Sequence, residues 1–216
     1  MAITRHDRVT VQWLGHSCFR IDNGTNSIVI DPYNDKIGYP ALHTRASMVT
    51  ASHGHGDHNC FEAVERLPYE TDPDAAITVE NVETFHDAEG GTARGKNKVQ
   101  IVHTGGFSIV HLGDLGHLLS DEQAAAIGQP DLLLIPVGGF YTIDATQAAA
   151  TVRQLQPGVV IPMHYRHAYG PDQIAPVDDF LDAMREEFEI MNVGSDIIAL
   201  DRSLFGKVLV LRYRQA

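Results

Sequence analysis

The stretch Ser52-His53-Gly54-His55-Gly56-Asp57-His58 gathers metal-binding side chains in a very short part of the 216-residue chain. Three imidazoles and one carboxylate fall between positions 53 and 58. Imidazole and carboxylate together suit Zn²⁺, and also Mn²⁺ or Fe. Because Gly54 and Gly56 allow sharp backbone turns, the donors can point toward two neighbouring positions. The stretch therefore predicts two ions, one bound by His53 and His55 and the other by Asp57 and His58.

The segments on either side decide between a metal site and a run of ordinary surface histidines. Met48–Ser52 is apolar and is typical of a buried strand. Asn59–Leu67 carries Phe61, Val64 and Leu67 at helical spacing, which predicts a helix. A turn full of ligands between a strand and a helix favours the metal site. Cys60, two residues past His58, has a weaker claim to a place near the metals.

Composition excludes several classes of function. The net charge is −12 with histidine neutral, which argues against a nucleic-acid or anionic-membrane binder. No apolar run is long enough to span a membrane. The first eight residues lack the apolar core of a signal peptide, so we expect a cytoplasmic protein. The length fits one domain over residues 1–216 acting on a small molecule, and it leaves a homo-oligomer open.

The rest of the chain alternates strands and helices. Strands are expected at Val9–Leu14, Cys18–Ile21 and Ser27–Ile30, with a hairpin turn at Asn23-Gly24. Further strands are expected at Ile77–Phe85, Val99–Val102, Phe107–Leu112, Leu132–Pro136, Val159–Met163, Ile197–Leu200 and Lys207–Arg212. Helices are expected from Ser120, where a capping box begins, to Ile127, over Asp144–Leu155 and over Val177–Phe188. This order predicts an α/β sandwich with helices outside two sheets.

Metal donors also follow three other apolar strands. His86 follows the strand that ends at Phe85, Asp114 follows the strand that ends at Leu112, and His164 follows Met163. With His53 after Met48–Ser52, four strands end in a metal donor. Loops converge at strand ends, so these residues can complete a site for two ions.

These residues resemble the pattern of the metallo-β-lactamase-fold superfamily of dinuclear metal hydrolases, from about Val9 to about Arg212. The words Gly15-His16-Ser17-Cys18-Phe19, Ile30-Asp31-Pro32, His111-Leu112-Gly113-Asp114 and Ile161-Pro162-Met163-His164-Tyr165 are similar to its small lactonase-like branch, which includes L-ascorbate-6-phosphate lactonase. The resemblance implies a four-layer αβ/βα sandwich. It also implies two divalent ions, most simply Zn²⁺, with Mn²⁺ or Fe as alternatives.

The resemblance assigns the ligands one by one. His53, His55 and His86 would hold the first ion, with His103 as the rival to His86. Asp57, His58 and His164 would hold the second ion, and Asp114 would bridge both. We expect His16, His111, His117 and Asp31 to lie close by without coordinating.

Catalysis would use a metal-bridging hydroxide, which Asp57 orients. His117, Tyr141 and Tyr165 are candidates to protonate the leaving group or to bind substrate. The segment Arg94-Gly95-Lys96-Asn97-Lys98 and the pair Arg166-His167 are basic in an acidic chain, which suggests an anionic substrate. An ordinary solvated loop is the alternative for the first of these.

The leading prediction is a dinuclear metal-dependent hydrolase that cleaves a small, anionic ester, lactone or phosphodiester. A metal-dependent oxidoreductase of the same fold, such as a persulfide dioxygenase or a di-iron oxygen reductase, is the second hypothesis. A non-catalytic metal-binding protein is the third. The chain has no insert after Asp114 of the kind that RNA-processing relatives use, which weighs against a ribonuclease.

Overall fold

The computed structural model describes residues 9–214. The N-terminal segment on which the expected cytoplasmic location rests lies outside them. Within residues 9–214, no helix is both long enough and apolar enough to cross a membrane. Two large sheets pack face to face, as the α/β sandwich prediction requires.

The first sheet has five strands in a mixed arrangement. It contains β1 (Thr10–Gly15), β2 (Cys18–Asp22), β3 (Ser27–Ile30), β5 (Met48–Thr50) and β13 (Ile197–Ala199). Their order is β13-β1-β2-β3-β5. β1, β2 and β3 are antiparallel neighbours, whereas β3 and β5 are parallel. The predicted hairpin between β2 and β3 is therefore confirmed. The histidine stretch begins at Ser52, two residues after β5 ends.

The second sheet has seven strands. It contains β7 (Thr78–Phe85), β8 (Lys96–Thr104), β9 (Phe107–His111), β10 (Leu132–Pro136), β11 (Val159–Met163), β12 (Glu189–Asn192) and β14 (Lys207–Val210). Their order is β12-β14-β11-β10-β9-β8-β7. β7, β8 and β9 form an antiparallel meander. From β9 onward the neighbouring strands, in the spatial order β9-β10-β11-β14-β12, are all parallel. Parallel strands end at the same edge of a sheet, so the segments after β9 and β11 come together.

Three α-helices occur among the described residues: α1 (Asp121–Ile127), α2 (Ala145–Leu155) and α3 (Asp178–Met184). The predicted capping box of α1 is present, because the Ser120 hydroxyl accepts from the Gln123 N–H while the Gln123 side chain accepts from the Ser120 N–H. α2 joins the parallel strands β10 and β11. α3 ends four residues before the predicted Phe188, and strand β12, which the sequence did not predict, begins at Glu189.

Side-chain alternation along the first sheet separates two cores. Trp13, Phe19, Ile21 and Ile30 point inward and pack in the main core between the sheets. On the opposite face, Cys18 and Val29 pack in a smaller cluster with Tyr33, Tyr39, Leu42, Ala46 and Val64. The first sheet is therefore covered on both faces.

The helix predicted over Asn59–Leu67 is wrong. The chain forms a single 3₁₀ turn at Phe61–Ala63 and then strand β6 (Val64–Arg66), which pairs in parallel with β4 (Thr44–Ala46). Val64 is buried in the smaller cluster, whereas Phe61 is 43% exposed. Burial of Val64 beside β4 therefore overrides the helical spacing, which is a weak signal over nine residues. On this side the outer layer contains a two-stranded sheet and 3₁₀ turns in place of the predicted helix.

Candidate metal centre

The four predicted strand ends meet at one place. His53 follows β5, His86 follows β7 directly, Asp114 lies three residues after β9, and His164 follows β11 directly. The donor atoms of these four residues and of three other histidines form groups of three, and within each group the atoms lie within 4.8 Å of one another. The three groups are His53 with His55 and His86, His53 with His58 and Asp114, and His16 with His58 and His164.

Asp114 lies between the two histidine sets. Its Oδ2 atom is 3.2 Å from Nε2 of His58, 3.2 Å from Nε2 of His86 and 3.5 Å from Nε2 of His164. Burial by itself raises the pKa of Asp114, but His164 and His58 outweigh burial and lower the pKa well below its ordinary value. The side chain is buried, and Oδ1 has no hydrogen-bond partner within residues 9–214. An ionised carboxylate with a spare oxygen between histidines is suited to a shared metal ligand.

Several ring nitrogens are similarly available. Nε2 of His53 and Nε2 of His58 are buried and lack hydrogen-bond partners in the described part of the chain. Burial, followed by the charge of His58, lowers the pKa of His53 to about 3, so its imidazole is neutral. Buried polar atoms are normally satisfied, and neutral imidazole is the form that binds metal. The donor set therefore fits divalent metal ions.

Asp31 lies close to the cluster, as the sequence predicts, and it hydrogen-bonds to the histidine stretch from the buried side. Its Oδ1 accepts from the Ser52 N–H at 2.6 Å, and its Oδ2 accepts from the Ser52 hydroxyl at 2.7 Å and from Nδ1 of His58 at 2.8 Å. Burial raises the pKa of Asp31, but the charge and hydrogen bond of His58 outweigh it and lower the pKa. The Ser52 hydroxyl also lies 2.9 Å from Nδ1 of His53. Asp31 thus sets the orientation of two histidine rings.

Asn97 positions Asp114, and the sequence analysis missed it. Its Oδ1 accepts from the Asp114 N–H at 3.0 Å, and its Nδ2 donates to the Leu112 carbonyl at 2.9 Å and to Thr84 Oγ1 at 2.8 Å. In sequence, Asn97 lies within the basic segment Arg94–Lys98. It shares a face of β8 with the buried Val99 and Ile101, so the two-residue period could have revealed it.

The histidines expected to lie nearby without coordinating behave differently from one another. His111 is fully buried and satisfied, because its Nε2 donates to the Ser17 carbonyl and its Nδ1 accepts from the Gly113 N–H. His16 is also buried, and its Nε2 is 3.7 Å from Oδ2 of Asp57. Burial, followed by the charge of His164, lowers the pKa of His16 to about 4. Its ring centroid lies 4.2 Å from that of His164 and 5.3 Å from that of His58.

A cavity of about 370 Å³ opens over the cluster. It is lined by His16, His55, Asp57, His86, Ala93, Arg94, Asp114, Tyr141, His164 and Pro171. The guanidinium carbon of Arg94 lies 5.8 Å from the ring centroid of Tyr141, within cation–π range. Arg94 is thus the member of the predicted basic loop that reaches the cavity, whereas Lys96 and Lys98 are exposed on β8 and do not line it.

Asp87 holds the loop that carries Arg94. Its Oδ1 accepts from the N–H groups of Glu89 and Gly91, and its Oδ2 accepts from those of Ala93 and Arg94. Burial raises the pKa of Asp87, but the four backbone hydrogen bonds together outweigh it and lower the pKa to about 2. Asp87 directly follows His86, so the loop from Asp87 to Arg94 connects a histidine of the cluster to the arginine that lines the cavity.

Two predicted proton donors, His117 and Tyr165, make contacts away from the metal cavity. Nε2 of His117 accepts from the Phe85 N–H at 3.1 Å, and its Nδ1 contacts the Leu118 carbonyl at 2.7 Å. Both nitrogens are therefore occupied by backbone, and the ring lines a separate cavity. Tyr165 is buried in the main core, with its ring centroid 5.6 Å from that of Trp13. Neither residue fits the predicted proton-donor role, whereas Tyr141 lines the metal cavity.

The remaining candidates lie outside the cluster. His103 is on β8 with 45% of its side chain exposed, and its Nε2 is 3.6 Å from Glu80. Cys60 lines a different cavity of about 880 Å³, which includes none of the clustered donors. Arg166 is exposed, and His167 packs edge-on against Trp13.

Comparisons with known proteins agree with this geometry. Residues 10–164 match the family model described as "Beta-lactamase superfamily domain". A UPF0173 metal-dependent hydrolase of Thermoplasma acidophilum is 27% identical over 190 residues, which cover 74% of this chain and 84% of that protein. Another from Hyperthermus butylicus is 30% identical over 193 residues, covering 72% and 82%.

Solved structures give the same result. The crystal structure of a candidate Zn-dependent hydrolase of the metallo-β-lactamase superfamily from Thermotoga maritima has a TM-score of 0.74 and 34% identity, covering 95% of this chain and 100% of that one. Igni18, a metallo hydrolase from Ignicoccus hospitalis, has the same fold at 20% identity and a TM-score of 0.65, covering 96% and 97%. The chain therefore belongs to the metallo-β-lactamase superfamily and is a metal-dependent hydrolase related to the UPF0173 proteins.

Proposed function

We propose that this hydrolase uses a dinuclear centre to cleave a small, anionic ester, lactone or phosphodiester. The observation that carries the proposal is the position of Asp114 between two histidine sets. His53, His55 and His86 would hold one ion, while Asp57, His58 and His164 would hold the other. Asp114 would serve both. The oxidoreductase and the non-catalytic alternatives are not retained, because the relatives are metal-dependent hydrolases.

Two divalent ions, Zn²⁺ in the first instance with Mn²⁺ or Fe as alternatives, would supply hydroxide near neutral pH and polarise the scissile carbonyl or phosphoryl group. The chain supplies the orientation. Asp57 lines the cavity with a side chain 32% exposed, so its carboxylate can accept a hydrogen bond from an attacking water. Asp31 and Asn97 fix the cluster residues from the buried side.

Tyr141 and Arg94 would bind the substrate. Both line the cavity and lie against each other, with the guanidinium over the ring. We assign Arg94 to the anionic group of the substrate and the Tyr141 hydroxyl to protonation of the leaving group. A cavity of about 370 Å³ is at the lower end of the range for small-molecule sites, which favours a small metabolite over a polymer.

Metal analysis tests the dinuclear centre. Protein purified without chelator should contain two equivalents of metal, and activity against a panel of lactones, esters and bis(p-nitrophenyl) phosphate should disappear on chelation and return with Zn²⁺ or Mn²⁺. His55→Ala should lose one equivalent. The matched variant His103→Ala, which changes an exposed strand histidine, should retain both. A single equivalent in the unmodified protein would contradict the proposal.

Kinetics test the anionic substrate. For the best substrate of that panel, Arg94→Ala should raise KM by roughly 10- to 100-fold, the value of one lost charge-assisted hydrogen bond. Lys96→Ala removes a cation two residues away that does not line the cavity, and it should leave KM unchanged. If the two substitutions raise KM equally, Arg94 contributes only to the general surface charge and does not bind the anionic group.

A further inference from the structure

His16 is held in an unusual backbone conformation beside the candidate metal centre. It lies in the left-handed region with φ of 51°, and it follows Gly15, whose φ is 109°. Its carbonyl accepts from the Trp13 indole N–H at 2.9 Å and from the His164 N–H at 3.4 Å. A Cβ atom on Gly15 would lie 2.8 Å from the Tyr39 ring, so the turn is closely packed. These contacts direct one particular imidazole into the cluster.

Within residues 9–214, Nε2 of His16 is buried without a hydrogen-bond partner. Only 2% of the residue is exposed, and Nε2 makes no hydrogen bond to any residue between 9 and 214. The nearest charged atom is Oδ2 of Asp57, at 3.7 Å. His111 provides a contrast in the same region, because both of its ring nitrogens are satisfied by backbone. A buried, unsatisfied nitrogen costs stability unless something else binds it.

The position of that nitrogen indicates what binds it. His16 offers a donor atom that lies within 4.8 Å of donor atoms of His58 and His164, and those two donors lie equally close to each other. Although His16 lines the cavity, its Nε2 atom is itself buried, so that nitrogen is poorly placed to hydrogen-bond a substrate. An ion between the three rings would satisfy it.

We propose that His16 is a further ligand of the ion held by Asp57, His58 and His164. The inference rests on the proposed two-ion centre and adds a third imidazole to its second site. With Asp57 and Asp114, the second site then has five protein donors, one more than the usual tetrahedral zinc site. The first site keeps His53, His55, His86 and Asp114. The two ions would therefore have different surroundings.

Zinc binding to the metal-free protein tests the assignment. His16→Asn removes the imidazole with a residue that tolerates positive φ, and His16→Gly does so with no restriction on φ. Competition with a chromophoric chelator should show two Zn²⁺ equivalents in the unmodified protein, with one of them weakened about tenfold or more in both variants. His103→Asn is the matched control and should bind both ions as the unmodified protein does. Circular dichroism of the metal-free proteins checks that each variant is folded.

A measurement without substitution keeps the test independent of folding. In protein labelled with ¹⁵N-histidine, titration with Zn²⁺ should move the ¹⁵N resonance of His16 Nε2 together with those of His58 and His164. Unchanged zinc affinity in a folded variant, or an unmoved His16 resonance, would overturn the assignment while leaving two ions in place. Fewer than two Zn²⁺ equivalents in the unmodified protein would instead overturn the two-ion centre itself.

Discussion

Asp31 and His58 share a hydrogen bond of 2.8 Å between Oδ2 and Nδ1, and both side chains are completely buried. Because the carboxylate accepts at Nδ1, one proton is held there, and Nε2, which lies 3.2 Å from Oδ2 of Asp114, is the nitrogen that would bind a metal ion. Asp31 is itself held in the left-handed region, with φ of 52°. Such a conformation costs about 1–3 kcal/mol in a residue other than glycine, so the surrounding contacts must maintain it.

Asp31→Asn should therefore weaken metal binding without a large loss of structure. Asparagine tolerates positive φ, but its amide is a weaker acceptor for His58 than a carboxylate. Partners of this kind typically contribute 10- to 100-fold to metal affinity, and we expect a reduction in that range by chelator competition. Asp201→Asn, the same change at an exposed 3₁₀ cap, is the control and should have no effect. Equal affinities for the two variants would rule out an orienting role for Asp31.

Asp87→Ala should loosen the Arg94 loop while leaving the metal sites filled. The substitution removes the acceptor of four backbone N–H groups at once. Hydrogen exchange should become roughly tenfold faster or more at the amides of Glu89, Gly91, Ala93 and Arg94, because hydrogen-bonded amides exchange only when they open. Zinc stoichiometry should not change.

Glu89→Ala is the control for this loop, since its exposed side chain makes none of those four bonds. Exchange rates in Glu89→Ala should match the unmodified protein. If Asp87→Ala also leaves the exchange rates unchanged, the loop is held by its other contacts, such as the bond from the Gly95 N–H to the Gly91 carbonyl.

The strand ends were the most predictable part of this molecule. His86, Asp114 and His164 follow β7, β9 and β11, which run in the same direction in one sheet and therefore end at one edge. His53 follows β5, which belongs to the facing sheet. The capping box at Ser120 was equally visible, because its two hydrogen bonds involve residues three apart.

Side-chain direction was much less predictable. Tyr141 and Tyr165 both follow strand ends, yet only Tyr141 reaches the cavity, because Tyr165 packs on Trp13 from a distant strand. The helix predicted where β6 lies is wrong for a related reason. β6 pairs with β4, a segment about 20 residues away in sequence, and local spacing does not report such a pairing. The nearness of His117 to Asp114 in sequence does not indicate the two backbone contacts that its ring makes.

Tyr141→Phe should lower turnover, whereas Tyr165→Phe should not. Each substitution removes a single hydroxyl group, so the pair is matched in size. General acid catalysis typically contributes 10²- to 10⁴-fold, and we expect a fall in kcat at the low end of that range for Tyr141→Phe with an ester or lactone. A substrate with a good leaving group should reduce the deficit, because it needs less protonation. Equal kcat values for both variants would exclude Tyr141 as the acid.

Gly113→Ala should damage both stability and metal binding, because backbone at this point passes very close to the histidine stretch. Gly113 has φ of 57°, and a Cβ atom there would lie 2.3 Å from Asn97 Oδ1 and 2.5 Å from Ser52 Cβ. Both neighbours are buried and hydrogen-bonded, so they cannot easily move. Overpacking of this kind typically costs 1–3 kcal/mol, in addition to about 1–2 kcal/mol for the left-handed backbone.

Gly194→Ala carries a similar positive φ with open space around it, so it should show only the backbone cost. Chemical denaturation of both variants, with zinc titration of the folded fraction, measures the difference. If the two variants lose equal stability, the close approach of Gly113 to Ser52 and Asn97 is not a constraint on the site.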